Sequence, residues 1–142
     1  KISIFGQDFW RPLVHVEDMA DACISSINAT SELISGQIYN VGSDEENYTK
    51  IQLAKIIQNF LKDTEIEILK TKEDPRNYKV SFDKIKNMLN FNPKKSVIDS
   101  VTEILKAVDS GIINPRDSEF TNMSKLTEEI SPLNNYQFDE NL

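Results

Sequence analysis

The sequence predicts an α/β fold. Short apolar runs of strand length, at 1–5, 38–41 and 65–69, alternate along the chain with stretches of helical period. A compact run such as IYNV at 38–41, lying between two amphipathic helices, asks for parallel neighbours of its own kind.

The elements follow in order. Residues 1–5 alternate β-branched and aromatic side chains and stop at Gly6, a strand and a turn. Leu13, Val14 and Val16 suggest a second short extended piece. Met19, Ala20, Cys23, Ile24 and Ile27 then recur at the three and four spacing of a helix over about 17–29. Glu17, Asp18 and Asp21 open it and complement its dipole, a reading preferred to metal binding because no second ligand cluster accompanies them. Cys23 is expected in the core. A polar loop ends at Gly36, and IYNV fits a strand buried on both faces. Asp44 to Asn47 lacks the spacing and central glycine of an EF-hand and reads as a solvated loop.

Thr49 with Gln52 spells a capping box, and Leu53, Ala54, Ile57, Phe60 and Leu61 line one face of the helix it starts. Residues 65–69 alternate as a strand, and 70–78 form a charged connector interrupted by Pro75. Val80 is a minimal strand. Ser81 can cap a short helix whose Ile85, Met88 and Leu89 face inward, closed by Asn90 and Pro93. Ser96 with Asp99 repeats the capping pattern for a last helix carrying Val97, Val101, Ile104, Leu105 and Val108 and stopped at Gly111. Beyond Pro115 the chain is polar and aperiodic. A main body over 1–115 and a loosely structured tail over 116–142 are expected.

Charge narrows the function. The net charge is −7, from 16 basic and 23 acidic residues, which argues against nucleic acid or an acidic membrane as partner, since both need a basic face. A soluble, cytoplasmic protein is expected. The acidity is uneven: residues 1–115 carry 14 positive and 17 negative charges, or −3, and residues 116–142 carry 2 and 6, or −4. One cysteine excludes an internal disulfide and a thiolate metal cluster. No apolar run approaches the roughly 20 residues of a membrane span, and the opening KISIFGQ has neither a signal-peptide layout nor an initiator Met, as expected of an excised piece.

The stretch RPLVHVED at 11–18 draws attention because arginine is rare, three residues against thirteen lysines. Arg11 opens it, and Arg76 lies in a second distinctive run, DPRNYKVS. A planar fork of donors grips phosphate oxygens in pairs, but Arg11 taken alone reads first as a surface residue before a short strand and only second as a ligand-binding group. His15 is the single histidine, so imidazoles cannot build a metal cage, and packing or a local hydrogen bond is favoured over catalysis. The four glycines, Gly6, Gly36, Gly42 and Gly111, are too far apart to make a phosphate-cradling loop.

Four segments in this order, FWRPLVHVEDMADA from Phe9, IYNVGSDEENYTKIQLAKII, DPRNYKVSFDKIKNMLNFNP and SVIDSVTEILKAVDSG, resemble the carboxy-terminal part of extended short-chain dehydrogenase/reductases. Among those, the chain looks most like the NAD-dependent nucleotide-sugar epimerases and dehydratases, over residues 2–122. The resemblance implies a substrate-binding lobe plus a late strand, Tyr39 to Gly42, and helices of an NAD-binding Rossmann fold whose amino-terminal half is absent. It implies that Arg11 contacts a nucleotide diphosphate and that Arg76, with Asp74 nearby, holds the nucleotide sugar from the opposite side. The family's glycine-rich turn is missing, and none of Tyr39, Tyr48, Tyr78 and Tyr136 has the Lys four residues on that a YxxxK pair requires. The implied NAD therefore belongs to the missing half, with no cofactor, metal or catalytic residue expected on this chain alone. A nucleotide-diphosphate sugar, a companion chain or amino-terminal half, and a homodimer of the complete parent are the implied partners. The rival expectation is a non-catalytic protein that kept this lobe as a binding or assembly module.

Overall fold

The computed structural model describes residues 1–70 and 76–117. Two strand pairs carry the architecture. β1 (Ile2–Phe5) lies parallel to β4 (Ile66–Leu69), with Ile2 opposite Ile66 and Ile4 opposite Ile68. β2 (Trp10–Pro12) runs antiparallel to β3 (Asn47–Thr49), with Arg11 opposite Tyr48. The helices are α1 (Val16–Asn28), α2 (Ser31–Ile34), α3 (Lys50–Phe60), α4 (Asp83–Leu89) and α5 (Val97–Asp109). The chain divides into two units, Lys1–Glu103 and Ile104–Leu142.

Local codes set most boundaries. Gly6 turns the chain out of β1 at φ +59°, and a Cβ there would sit 2.6 Å from the Phe9 ring, so both the backbone and the space require glycine. The loop it starts is fixed by the first amides of α3: Lys50 N donates to Phe9 O at 3.1 Å and Ile51 N to Gln7 O at 3.0 Å. Thr49 and Gln52 form the expected reciprocal box at the head of α3. Asn90 closes α4 in the left-handed conformation. Ser96 and Asp99 exchange bonds at the start of α5, with Asp99 N to Ser96 Oγ at 3.3 Å and Ser96 N to Asp99 Oδ2 at 2.8 Å. In the second unit Ile112 and Ile113 both donate to Ala107 O, and Asn114 and Asp117 tie a turn by a 2.8 Å bond.

The core of the first unit is small. Ala22 of α1, Phe82, Ile85 of α4 and Phe91 are buried together, with Tyr39, Val41, Val80 and Leu89 packed against them. A core of this size needs polar fasteners, and among the described residues of the first unit those made by Asp18, Asn47 and Glu46 hold its elements together. Asp18, 2 % exposed, accepts from the backbone amides of Lys94 at 2.8 Å and Lys95 at 3.0 Å and so pins α1 to the chain entering α5. Asn47, also buried, brackets Val80 with its side-chain amide: Val80 N donates to Oδ1 at 3.1 Å and Nδ2 donates to Val80 O at 3.0 Å. Glu46 accepts from Val97 N, the first residue of α5, at 2.8 Å.

Several expectations need correction. Residues 38–41 form no strand. A strand exists through its ladder, and no described residue pairs with this one, so Ile38 is 84 % exposed and only Tyr39 and Val41 reach the core. Val80 is likewise no strand, because the Asn47 side chain occupies the positions a neighbouring strand would take. The extended piece placed on Leu13, Val14 and Val16 lies earlier, at Trp10–Pro12. Cys23 is exposed rather than in the core. α1 turns inward the face bearing Asp18 and Ala22, since the buried carboxylate must reach its amides, and this leaves Met19, Ile24 and Ile27 outward. Met88 is 44 % exposed, α4 being too short to bury more than the Ile85 side and part of Leu89. The loop before Gly36 contains the one-turn α2. The tail expected over 116–142 lies almost wholly outside the described residues, as do Asp74 and Pro75 of the connector.

Removing the Asp18 carboxylate leaves two amides without their charged acceptor. Asp18→Ala is expected to destabilise the 142-residue chain by about 3 kcal/mol, whereas Ile24→Ser changes it by less than about 0.5 kcal/mol. Urea unfolding followed by circular dichroism measures both. Equal losses would show that the outward stripe of α1, and not Asp18, holds the helix.

Candidate functional site

The guanidinium of Arg11 reaches the backbone of Arg76, the second arginine singled out in the sequence. β2 places Arg11 beside Tyr48 of β3, and its half-buried guanidinium donates through Nη1 to Trp10 O at 2.7 Å and to the carbonyl of Arg76. Arg76 itself is exposed. Trp10 N donates to Asn77 Oδ1 at 3.0 Å, and the Lys79 ammonium lies 3.9 Å from the centre of the Trp10 ring. Residues 76–79 are thus stitched to β2 by a guanidinium, a side-chain amide and a cation–π contact. The Asn47 bracket on Val80 continues the seam by one residue. Asp74 lies outside the described residues.

The sequence makes this geometry intelligible. Pro12 has no N–H to give, which suits the short β2 to the end of a two-stranded ladder. The planar guanidinium has donors enough to hold both backbone carbonyls at once. The Arg11 guanidinium and the Lys79 ammonium both contact this seam, in a chain whose net charge is −7. Behind the ladder, Tyr48 donates its hydroxyl to Glu46 Oε1 at 3.2 Å; burial first, and then the Glu46 charge, push the phenol above its ordinary range. Tyr48 therefore acts as a neutral hydrogen-bond donor at physiological pH.

Sequence reading missed Trp10, Asn77 and Lys79. The signals were present as an aromatic residue directly before Arg11 and a lysine three residues after Arg76. What the sequence lacked was the tertiary pairing of 76–79 with β2.

His15 is committed elsewhere. It caps α1, its Nδ1 accepting from Glu17 N at 3.2 Å, while Nε2 faces Glu103 Oε2 at 3.0 Å. This is the local hydrogen bonding expected of it, and the tautomer that satisfies both contacts carries its proton on Nε2. Lys95 joins the cluster through Glu103 and through Glu17 Oε2 at 3.2 Å. Among the described residues no group of three or more His, Cys, Asp or Glu could hold a metal ion. No helix there is long and apolar enough to cross a membrane.

A dinucleotide cradle does not fit the described residues. Helices α1, α3 and α5 open on His15, Thr49 and Ser96, and no glycine-rich turn precedes any helix.

No protein-family model matches the chain. Solved structures do. Pal from Bacillus thuringiensis is 25 % identical with a TM-score of 0.63, over 77 % of this chain and 34 % of that one. UDP-glucose 4-epimerase from Thermotoga maritima, solved with UDP-glucose, is 22 % identical with a TM-score of 0.66, over 80 % and 36 %. A short-chain dehydrogenase/reductase superfamily protein from Agrobacterium tumefaciens, solved with bound NAD, is 19 % identical with a TM-score of 0.66, over 78 % and 34 %. The chain thus has a mixed α/β fold with parallel pairing that it shares with Rossmann-like short-chain dehydrogenase/reductase structures. It spans about a third of the length of these proteins.

The ion-pair cluster around His15 gives a pH signature. The Lys95 hydrogen bond first, and the His15 contact after it, hold the Glu103 carboxyl below its ordinary range. A carboxyl with a lowered folded pKa stabilises the fold above its unfolded value, near about 4.3, and the contribution disappears as pH falls through the folded value. Glu103→Gln is therefore expected to lower stability at neutral pH and to flatten its decline below about pH 4, with the difference shrinking in about 1 M salt. Thermal unfolding across pH 3–7 measures this, and parallel pH curves for the two proteins would contradict it.

Proposed function

We propose that this chain is the nucleotide-sugar-binding part of an NAD-dependent epimerase or dehydratase, with the redox machinery on chain beyond these 142 residues. The observation that supports the reading is that the guanidinium of Arg11 on β2 reaches the backbone carbonyl of Arg76, which brings two arginine residues from distant sequence to one seam. The order of motifs, the fold shared with short-chain dehydrogenase/reductase structures and the third of their length that the chain spans support it. So does the absence from the sequence of both the glycine-rich turn and a YxxxK pair.

The chemistry asked of the site is anchorage. Diphosphate oxygens accept charge-assisted bonds from the guanidinium edges, and an anchor remote from the reacting carbon orients the sugar without touching it. Arg11 is prepared for this, because its bonds to Trp10 O and to Arg76 O fix the plane of the guanidinium before any ligand arrives. Asp74, next to Arg76 in sequence, belongs to the same proposal by resemblance.

In the complete enzyme, Arg11→Ala is expected to weaken nucleotide-sugar binding by about 2 kcal/mol or more while NAD affinity stays unchanged. Arg11→Lys recovers part of the loss, since one ammonium cannot reproduce a forked contact. Calorimetric titration of both ligands decides. Full affinity in the lysine variant, or a parallel fall in NAD binding, would remove Arg11 from the diphosphate site.

A further inference from the structure

His15 is a buried titratable side chain that the nucleotide-sugar reading does not use. It is 9 % exposed, and both ring nitrogens are committed: Nδ1 accepts from Glu17 N at 3.2 Å and caps α1, while Nε2 faces Glu103 Oε2 at 3.0 Å. Only the neutral ring with its proton on Nε2 satisfies both. A protonated imidazole carries a donor at each nitrogen, so Nδ1–H would meet the Glu17 N–H, donor against donor, at the positive end of the helix dipole. Carboxylates face the ring region from the other elements: Glu103 and Asp99 on α5, Glu46 ahead of β3, and Glu17 on α1 itself. The Lys95 ammonium opposes them and is bonded to Glu103 and Glu17, while Asp18 is committed to the amides of Lys94 and Lys95. An imidazolium therefore has acceptors on the α5 side and a misplaced donor on the α1 side. A cavity of about 200 Å³, lined in part by Leu13, Val14, His15, Glu46, Lys95 and Val97, gives the ring room to turn.

We propose that His15 is a proton-operated latch on the first turn of α1. The neutral ring holds the Glu17 amide and keeps that turn closed. On protonation the ring gives up the amide, turns into the cavity and stays paired with Glu103, and the turn carrying Val16 and Glu17 opens. The bonds from Asp18 to Lys94 and Lys95 keep the rest of the helix in place. The capping contact belongs to the neutral ring, so its contribution is present on the alkaline side of the titration and is lost as pH falls through it. The Glu103 contact strengthens in the same step, which keeps the opening local. Histidine changes charge between about pH 5 and 8, and Glu103, held below the ordinary carboxyl range, is ionised throughout that window. The latch lies between β2, which ends at Pro12, and the helix pinned by Asp18, so acidification loosens the join behind the strand that carries Arg11.

The chain has one histidine, so long-range proton–nitrogen correlation spectra read a single ring, its tautomer and its titration. The 142-residue chain is compared with His15→Asn and Glu103→Gln. Lowering the pH from about 7.5 to about 5.5 is expected to convert an Nε2–H tautomer to the imidazolium. With the same midpoint, the Val16 and Glu17 Cα signals should leave helical values, and Glu17 amide exchange, corrected for its intrinsic pH dependence, should speed by about fivefold, the size of a lost N-cap bond. Asn at position 15 caps through an oxygen that does not titrate, so in His15→Asn both residues should stay helical across the window. Glu103→Gln removes the charged acceptor of the imidazolium, and ring and turn should move together to a lower midpoint. A ring that titrates while Val16 and Glu17 hold still would overturn the latch. So would an Nδ1–H tautomer in the neutral protein, an opening that persists in His15→Asn, or a ring midpoint that moves in Glu103→Gln without the turn.

Discussion

One buried carboxylate organises the first unit. Asp18 has almost no exposed surface, and its two oxygens hold the consecutive amides of Lys94 and Lys95. A charged group is tolerated in such a place only when its acceptor capacity is used, and here two backbone donors use it. The consequences spread along the chain. Once α1 is turned so that Asp18 reaches those amides, Ala22 faces Phe82, Ile85 and Phe91, and the small side chain lets the helix approach them closely. His15 stands one turn before Asp18, where it caps α1 and meets Glu103. The entry to α5 is fixed by the same amides and by Glu46, one residue before β3.

That scaffold explains why a small core suffices to position the seam. β2 leaves the loop held by the first amides of α3, and Leu13 N donates to Glu46 O at 3.0 Å just beyond its end. β3 lends β2 a ladder on one side, and residues 76–79 supply Asn77 and the Arg76 carbonyl on another. Asn47 ties β3 to Val80, so the connector is anchored by side-chain amides where a third strand is lacking. The seam is therefore built from polar contacts of known direction, as the proposed anion site requires.

What could be read in the sequence was what is encoded locally. The Thr49 and Gln52 box, the Ser96 and Asp99 cap, the turns at Gly6 and Asn90 and the strands β1 and β4 depend on neighbours within a few residues, and each is found in place. Tertiary partners were not legible. Apolar period located α1 but not its inward face, because Asp18 looks like a helix-dipole residue until its amides are seen 76 and 77 positions away. IYNV has the composition of a strand, yet a strand needs a ladder. At the site, residue type pointed to Arg11 and Arg76 as phosphate-gripping groups. Trp10, Asn77 and Lys79 acquire a role only once residues 76–79 lie against β2.

The central claim is that Arg11 and Arg76 form one anion site. The chain has three arginines, Arg11, Arg76 and Arg116, so its guanidinium Nε–Hε spectrum contains three signals. Titrating a nucleoside diphosphate sugar into the 142-residue chain and following those signals by nuclear magnetic resonance tests the claim directly. The account predicts that the Arg11 and Arg76 signals shift together along one saturation curve while Arg116 stays in place. Movement of Arg116 alone, or of Arg11 and Arg76 with different midpoints, would contradict it.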